Sequence, residues 1–367
     1  MSEPGIGDVF DGRYRLDGVL GEGGMGTVFA ATQLSIGRSV AVKVMKAGLE
    51  ASDRHVRRFR REAGAAGKLM HPHTVRTYDF GVTDDGIPYL VTERLRGHTL
   101  ADRLRRGPLP AAKAITIASE VLLSLTEAHR VGLVHRDVKP ANVFLADIGS
   151  VRDFVKVLDF GMVKLTTGTD QLGKVTRTGI VGGTPAYTSP ENAMDQDIDA
   201  RSDLYSVGVM LYEMVSGRLP FERGSSFETL LAHVRDPVPR LNAAVPAGLA
   251  QVVYWCLEKS PDLRPQSAEA LREALLVSDA SAPNLLARPS GRPAATPAAT
   301  ETESAEVPVS AAATILLDQP PVERAPIEGT TELVNVRRGP WAWVSMALWS
   351  AAVAAAVGVL FLLARSC

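Results

Sequence analysis

The stretch His135-Arg136-Asp137-Val138-Lys139-Pro140-Ala141-Asn142 sets a carboxylate, an ammonium and an amide close together, directly ahead of the apolar run Val143-Phe144-Leu145. That grouping makes sense around a phosphoryl group. Asp137 is placed to orient an attacking hydroxyl and take its proton, Lys139 to neutralise γ-phosphate charge, and Asn142 to ligate Mg²⁺. Downstream, the strand-like run of residues 155–158, apolar but for Lys156, leads into Asp159-Phe160-Gly161. A carboxylate just past a strand end, followed by glycine, suits a further Mg²⁺ ligand.

Upstream, Gly21-Glu22-Gly23-Gly24-Met25-Gly26-Thr27-Val28 lies between two predicted strands, residues 13–20 and 27–31. Glycine lets backbone N–H groups close over phosphate oxygens with no Cβ in the way. The same pattern marks dinucleotide sites, and plain glycine-rich hairpins are commoner than either. A strand rather than a helix follows it, which argues against a dinucleotide fold. Lys43 is planted in the predicted strand Val40-Ala41-Val42-Lys43-Val44-Met45. A buried ammonium is costly without an anion, and the alternative is an edge-strand lysine whose head reaches water. Glu62, in Phe59-Arg60-Arg61-Glu62-Ala63, falls on a predicted helix over residues 53–69 that Gly64 and Gly67 weaken. It is either a partner for Lys43 or a solvated helix-face charge.

The rest of the chain sets bounds on these readings. At 367 residues, two or three folding units are expected. Lys and Arg total 40 against 41 Asp and Glu, a net charge of -1, so nothing in the charge balance favours nucleic acid as a partner. The two cysteines, Cys256 and Cys367, build neither a disulfide framework nor a zinc site, which suits a reducing cytosol. The first residues lack a basic and an apolar region, so no signal peptide is expected.

Residues 1–13 read as a flexible lead. Turn-rich β-prone runs, among them residues 88–92, give way beyond Gly97 to helical periodicity, with Ala118, Val121, Leu122 and Leu125 on one helix face. Ser202 is the predicted cap of a further helix over 203–216, apolar almost all round and therefore buried. Residues 278–339 are rich in Ala, Pro, Thr, Ser and Glu and read as a disordered tether. Residues 341–363 are free of charge and long enough to cross a bilayer, which needs about 20 apolar residues as a helix. Trp341, Trp343 and Trp349 cluster toward one end, as interface-seeking aromatics do.

In this order and at these spacings, the motifs resemble those of the Hanks-type, eukaryotic-like serine/threonine protein kinases of bacteria, over residues 14–277. The resemblance implies an α+β bilobal fold, with a small β-rich lobe (14–93), a larger helical lobe (96–277) and ATP in the cleft between them. It implies that Leu20, Gly21, Glu22, Gly23, Gly24, Met25 and Gly26 cover the nucleotide, and that Val28 and Ala41 sandwich the adenine. Lys43, paired with Glu62, would hold the α- and β-phosphates. Thr92 would be the gatekeeper, and Glu93 and Leu95 the hinge whose backbone meets adenine. Asp137 would be the catalytic base, with Asn142 and Asp159 holding Mg²⁺, or Mn²⁺ in its place.

Further matches extend the resemblance. Residues 183–191 match the family's Ala-Pro-Glu segment, with Ser189 replacing the alanine. Glu191 is expected to pair with Arg264, and Asp203 to steady the catalytic loop through its backbone. Lys139 and Thr184 follow the serine/threonine pattern rather than the tyrosine one, which implies protein substrates with Ser or Thr acceptors. Arg136 would meet an activation-loop phosphate, with Thr176 and Thr178 the expected autophosphorylation sites among Thr166, Thr167, Thr169, Thr176 and Thr178.

Arg337-Arg338 ahead of residues 341–363, against Arg365 after them, predicts a single-pass protein of the cell (inner) membrane with its kinase domain cytoplasmic and residues 364–367 outside. Thr314 and Thr331, each with an apolar residue three positions on, are candidate docking points for phosphothreonine-binding partners, and self-association is a further candidate interaction. Three rival readings compete with this one, the first a membrane-tethered, phospho-dependent scaffold whose tail, through Thr314 and Thr331, does the work. A pseudokinase scaffold predicts loss of Lys43, Asp137 or Asp159, and all three are present; a small-molecule kinase predicts loss of Lys139 and of the 184–191 segment.

Overall fold

The computed structural model describes residues 4–24, 26–45, 53–160 and 185–278. A six-stranded antiparallel sheet forms the first lobe: β1 (Val9–Phe10), β2 (Tyr14–Gly23), β3 (Gly26–Gln33), β4 (Arg38–Met45), β5 (Thr77–Val82) and β6 (Pro88–Glu93), in the order β1-β2-β3-β4-β6-β5. Helix α1 (Asp53–Ala66) packs on it. The second lobe opens with β7 (Gly97–Thr99), α2 (Leu100–Leu104) and α3 (Ala111–Arg130), then β8 (Val143–Ile148) and β9 (Val151–Val157), which form a three-stranded sheet with β7. After a short 3₁₀ turn (Pro185–Tyr187) come α4 (Pro190–Ala193), α5 (Ala200–Ser216), α6 (Ser226–Arg235), α7 (Ala247–Cys256) and α8 (Ala268–Ser278).

Strand alternation decides which face of the first sheet does what. Side chains two apart share a face. Val40, Val42 and Val44 turn one way and pack with Phe29, Ala31, Tyr89 and Val91 in a fully buried cluster. Ala41 and Lys43 turn the other way, and the register puts Val28 opposite Lys43 and Thr92 opposite Ala41. On that second face Met45 and Leu90 pack against Phe59 and Ala63 of α1.

Helix α5 is the axis of the second lobe. Leu204, Val207, Val209, Met210, Leu211 and Met214 are all sealed from solvent, and α3, α7 and α8 pack around it. Burying such side chains stabilises by about 1.5–3 kcal/mol each, so this helix contributes heavily to the lobe's stability. Gly208 is a contact point rather than a weakness, since a Cβ there would lie 2.4 Å from the Cβ of Cys256.

Three expectations are corrected. Residues 7–13 are not a loose lead: β1 pairs with β2, Gly7 N–H donates to Leu16 O at 2.8 Å, and Arg13 bonds Asp79 across the lobe at 2.8 Å. The helix expected to start at Ser202 starts at Ala200 and is capped by Asp199, whose carboxylate accepts from Arg201 N–H at 2.8 Å. Asp199 supplies the same side-chain acceptor three residues earlier, which frees the Ser202 hydroxyl to donate to Glu191. The glycine-rich segment, expected as a loop from Gly21, is strand as far as Gly23 and again from Gly26.

No helix among the described residues is long and apolar enough to cross a membrane. The expected span at 341–363 lies outside the described residues, as do the tether from residue 279 on, Thr314, Thr331 and Cys367.

Candidate active site

The site is assembled at the junction of the lobes. Residues 135–142 lead from α3 to β8, and Asp159 follows the end of β9, so the antiparallel pairing of β8 with β9 fixes one against the other: Val143 sits opposite Val157, and Leu158 N–H donates to Asn142 O at 2.9 Å. Sequence proximity therefore has little to do with it. The β8–β9 hairpin brings Asn142 and Asp159 together.

Two buried residues hold the loop's backbone. Asp203, 1% exposed at the start of α5, accepts from His135 N–H and Arg136 N–H, each at 2.8 Å, through its two carboxylate oxygens. His129, from the last turn of α3, bonds Asp203 Oδ2 at 2.8 Å and fixes the carboxylate in turn. His135 is fully buried, with Nε2 2.8 Å from Leu158 O and its ring 4.7 Å from that of Phe160. Arg136 (φ 68°) and Asp159 (φ 57°) occupy the left-handed region. Such backbone costs about 1–3 kcal/mol per residue, which this network of contacts sustains.

Asp137 Oδ2 is the focus of the loop. Lys139 Nζ lies 2.8 Å from it and Asn142 Nδ2 donates to it at 2.9 Å, with a second bond from Asn142 Nδ2 to Asp137 O at 2.8 Å. The carboxylate, ammonium and amide singled out in the sequence thus converge on one oxygen.

Across the cleft, Lys43 Nζ meets Asp159 Oδ2 at 2.8 Å. Burial pushes the Asp159 carboxyl up, but the Lys43 ammonium beside it outweighs that, helped by His135 and Lys139, and holds it below the ordinary carboxylate range. The resemblance gave Lys43 to Glu62; the structure directs Lys43 to Asp159 instead, and Glu62 sits half-buried on α1. The physical reason is charge and reach: Asp159, 31% exposed, offers a carboxylate at hydrogen-bonding distance from the ammonium.

Val28, Ala41 and Thr92 lie half-buried on the Lys43 face, and Leu20 is 50% exposed at the rim. Thr92 Oγ1 donates to Glu93 O at 3.3 Å, and Leu95 follows, half-buried, in the connection to β7. Gly21, Gly23 and Gly24 have open space where a Cβ would be, with Glu22 exposed between them. Gly26 differs: its φ is 153° and a Cβ would lie 2.1 Å from Val44 O, so only glycine fits that turn. Met25, Gly161, Thr184 and the activation-loop threonines from Thr166 to Thr178 lie outside the described residues.

These residues fit Mg²⁺ and a nucleoside triphosphate. Asp159 and Asn142 are hard oxygen donors, few in number, as suits a Mg²⁺ that takes its remaining ligands from phosphate and water. Lys43 and the side-chain-free edge of the β2–β3 hairpin suit anionic oxygens.

Away from the cleft, Arg264 and Glu191 form the expected pair, with bonds of 2.8 and 2.7 Å, both side chains sealed from solvent. Nothing in the local pattern marks His129, which looks like an ordinary basic residue closing a helix, or the partnership between His135 and Leu158 O. Neither contact is local.

A family model for the protein kinase domain matches residues 14–276. The chain is 41% identical over 280 residues to the serine/threonine-protein kinase pkn3 of Myxococcus xanthus, covering 75% of this chain and 51% of that one. It is 42% identical over 280 residues to the serine/threonine-protein kinase PknB of Mycolicibacterium smegmatis, covering 74% and 44%. The chain thus spans about half the length of these relatives, or less. The crystal structure of the Mycobacterium tuberculosis PknI kinase domain superposes with a TM-score of 0.61 at 25% identity, covering 75% of this chain and 100% of that one. With a family match over most of its length and a bilobal architecture to go with it, this chain belongs to the protein kinase domain family.

Proposed function

We propose that this protein is a serine/threonine protein kinase that transfers the γ-phosphoryl group of ATP to hydroxyls of protein substrates. The observation that carries the reading is Asp137 Oδ2, gripped by Lys139 and Asn142 on a loop whose backbone is fixed by Asp203. The relatives named above are serine/threonine-protein kinases, which supports the acceptor class.

Both side-chain contacts to the Asp137 carboxylate fall on Oδ2, which supports a reading in which Oδ1 would meet the incoming hydroxyl. Asp137 accepts the hydroxyl proton as the new O–P bond forms and the bond to the β-phosphate oxygen breaks, releasing ADP. Lys139, beside the base, offsets the charge of the transferring group. Asn142 and Asp159 would hold Mg²⁺, which supplies electrostatic stabilisation of the phosphates. Lys43 would exchange part of its contact with Asp159 for phosphate oxygens, and the backbones of Glu93 and Leu95 would carry the adenine.

Lys139 favours serine and threonine over tyrosine. Incubating the full-length chain with ATP and a generic protein substrate, then mapping phosphosites, tests this: phosphoserine and phosphothreonine are expected, and predominant phosphotyrosine contradicts it. The same map tests Thr176 and Thr178 as autophosphorylation sites that Arg136 would engage.

Residues 341–363 and the basic pair ahead of them support anchoring at the cell membrane with the catalytic lobes on the cytoplasmic side, where ATP is. Deleting 341–363 should move the protein from the membrane to the soluble fraction. Retention at the membrane would remove that part of the reading.

A further inference from the structure

Lys156 is the one lysine of β9, and it is 8% exposed in a strand whose neighbours Val155 and Val157 are buried. An ammonium is taken out of water at a cost of several kcal/mol unless a counter-charge and hydrogen bonds meet it. Its partner comes from the other lobe: Lys156 Nζ lies 2.6 Å from Glu93 Oε1, at the end of β6. Lys156 Nζ also stands 6.0 Å from the centre of the Phe154 ring.

Glu93 is itself tied down on both sides. Its Oε1 accepts from Arg76 N–H at 2.9 Å, and its own N–H donates to Arg76 O at 2.9 Å. The segment that carries Arg76 is in turn fastened to β9 around Lys156. Val75 N–H donates to Val157 O at 2.9 Å, Val157 N–H donates to His73 O at 2.7 Å, and His73 Nδ1 lies 2.8 Å from Val155 O. Thr74 Oγ1 and Ser124 Oγ, 2.7 Å apart, add a contact to α3. Residues 73–76, the end of β6 and β9 thus form a closed ring of bonds across the lobe junction, and Lys156–Glu93 is its charged member.

We infer that Lys156 is a positioning residue for nucleotide binding: through the Glu93 carboxylate it sets where the connection between the lobes presents its backbone to adenine. The inference rests on the reading of Glu93 and Leu95 as the adenine hinge. The geometry separates the two roles of Glu93. Its carboxylate is held from β9, whereas its backbone opposes Val40 of β4 and adjoins Thr92, which shares a face with Lys43. Lys156 therefore acts on the nucleotide without touching it, and its ammonium is bonded to Glu93 rather than to Asp137, Lys139 or Asn142.

The test uses the full-length chain and Mg-ATP. Lys156→Met should raise the KM for ATP, and the Kd of a non-hydrolysable ATP analogue, by about tenfold, with kcat and the KM for protein substrate within about twofold of wild type. The charge-swapped double variant, Lys156→Glu with Glu93→Lys, should recover part of the loss, which a general packing defect would not. Where Lys156→Met does not fold, Lys156→Arg keeps the charge, displaces it, and should raise both constants by about threefold.

Ala41→Phe, which fills the expected adenine position, is the control for the underlying reading. If Ala41→Phe abolishes analogue binding while the foldable Lys156 variant binds like wild type, the role of Lys156 is overturned and the hinge reading stands. If Ala41→Phe binds like wild type, the hinge reading itself fails, and the role of Lys156 with it. Equal losses in ATP affinity, kcat and substrate affinity would reduce Lys156 to a merely structural residue.

Discussion

Two of this molecule's ion pairs, Arg264–Glu191 in the second lobe and Lys43–Asp159 across the cleft, are built to opposite standards. Arg264 and Glu191 are sealed from solvent and joined by two parallel bonds. Every remaining edge of that guanidinium is used as well: Nε donates to Glu258 O at 2.8 Å, and the terminal nitrogens donate to Lys259 O at 2.9 Å and Arg201 O at 3.2 Å. Lys43 and Asp159 share a single bond, and Asp159 is 31% exposed. The first pair is over-determined and has nowhere else to go. The second has the geometry of a contact that a ligand can replace. A pair of opposite charges is thus not one kind of feature: its satisfaction by further bonds distinguishes a fixture from a working part.

That contrast is most sharply broken or upheld by asking what each pair costs when cut. Asp159→Asn should lower phosphoryl transfer by about 10³-fold, equivalent to about 4 kcal/mol in the barrier. Its melting temperature should move by only a few degrees, since a partly exposed single-bond pair contributes little to folding. Glu191→Gln should do the reverse. It leaves the Arg264 charge buried without a counter-charge and should cost about 3–5 kcal/mol of stability, read from urea unfolding. Activity per folded molecule in cool buffer should fall far less than for Asp159→Asn. If Glu191→Gln unfolds like wild type, the distinction drawn here fails.

A smaller effect is expected at the β2–β3 turn. Gly26→Ala places a Cβ against Val44 O in a backbone conformation that L residues rarely adopt, at a cost of about 1–3 kcal/mol. The damage should appear chiefly as weaker ATP binding, because the turn is on the ligand side of the sheet. A Kd for ATP equal to wild type would take Gly26 out of the site.

A pH-dependent effect is expected in the second lobe. His233 is fully buried, with Nδ1 2.9 Å from the Tyr205 hydroxyl, and burial together with the Lys259 charge pushes its pKa from 6.5 down to about 4. Between those values the unfolded chain binds a proton that the folded chain refuses. Stability is therefore lost as pH falls through that window and is fully held above it. His233→Gln should flatten the dependence of the urea midpoint on pH between 6.5 and 4, and an unchanged slope would assign the acid sensitivity elsewhere.

How much of this was legible in the sequence follows from what each feature depends on. Strand alternation around Lys43 and the apolar periodicity of α3 and α5 are local, and they gave the lobes and most element positions. Asp137, Lys139 and Asn142 sit within one turn of chain, so their convergence could be read from spacing. The choice of Asp159 over Glu62 by Lys43 could not, because it depends on how α1 and β9 approach β4. Nor could the grip of His129 and Asp203 on the catalytic loop, or the ring through Lys156, since each joins residues far apart in the chain. Ser202 shows a subtler limit: it is a good cap in isolation, but Asp199 offers the same acceptor earlier, and Glu191 claims the hydroxyl.

The central claim is that Asp137 is the base of a phosphoryl transfer. Radiolabelled ATP supplied to the full-length chain, wild type beside Asp137→Asn, tests it most directly. The amide keeps the size and the contact to Lys139 but cannot accept the hydroxyl proton, so transfer to protein should fall by about 10²–10⁴-fold while ATP binding persists. Equal labelling by the two proteins would contradict the account.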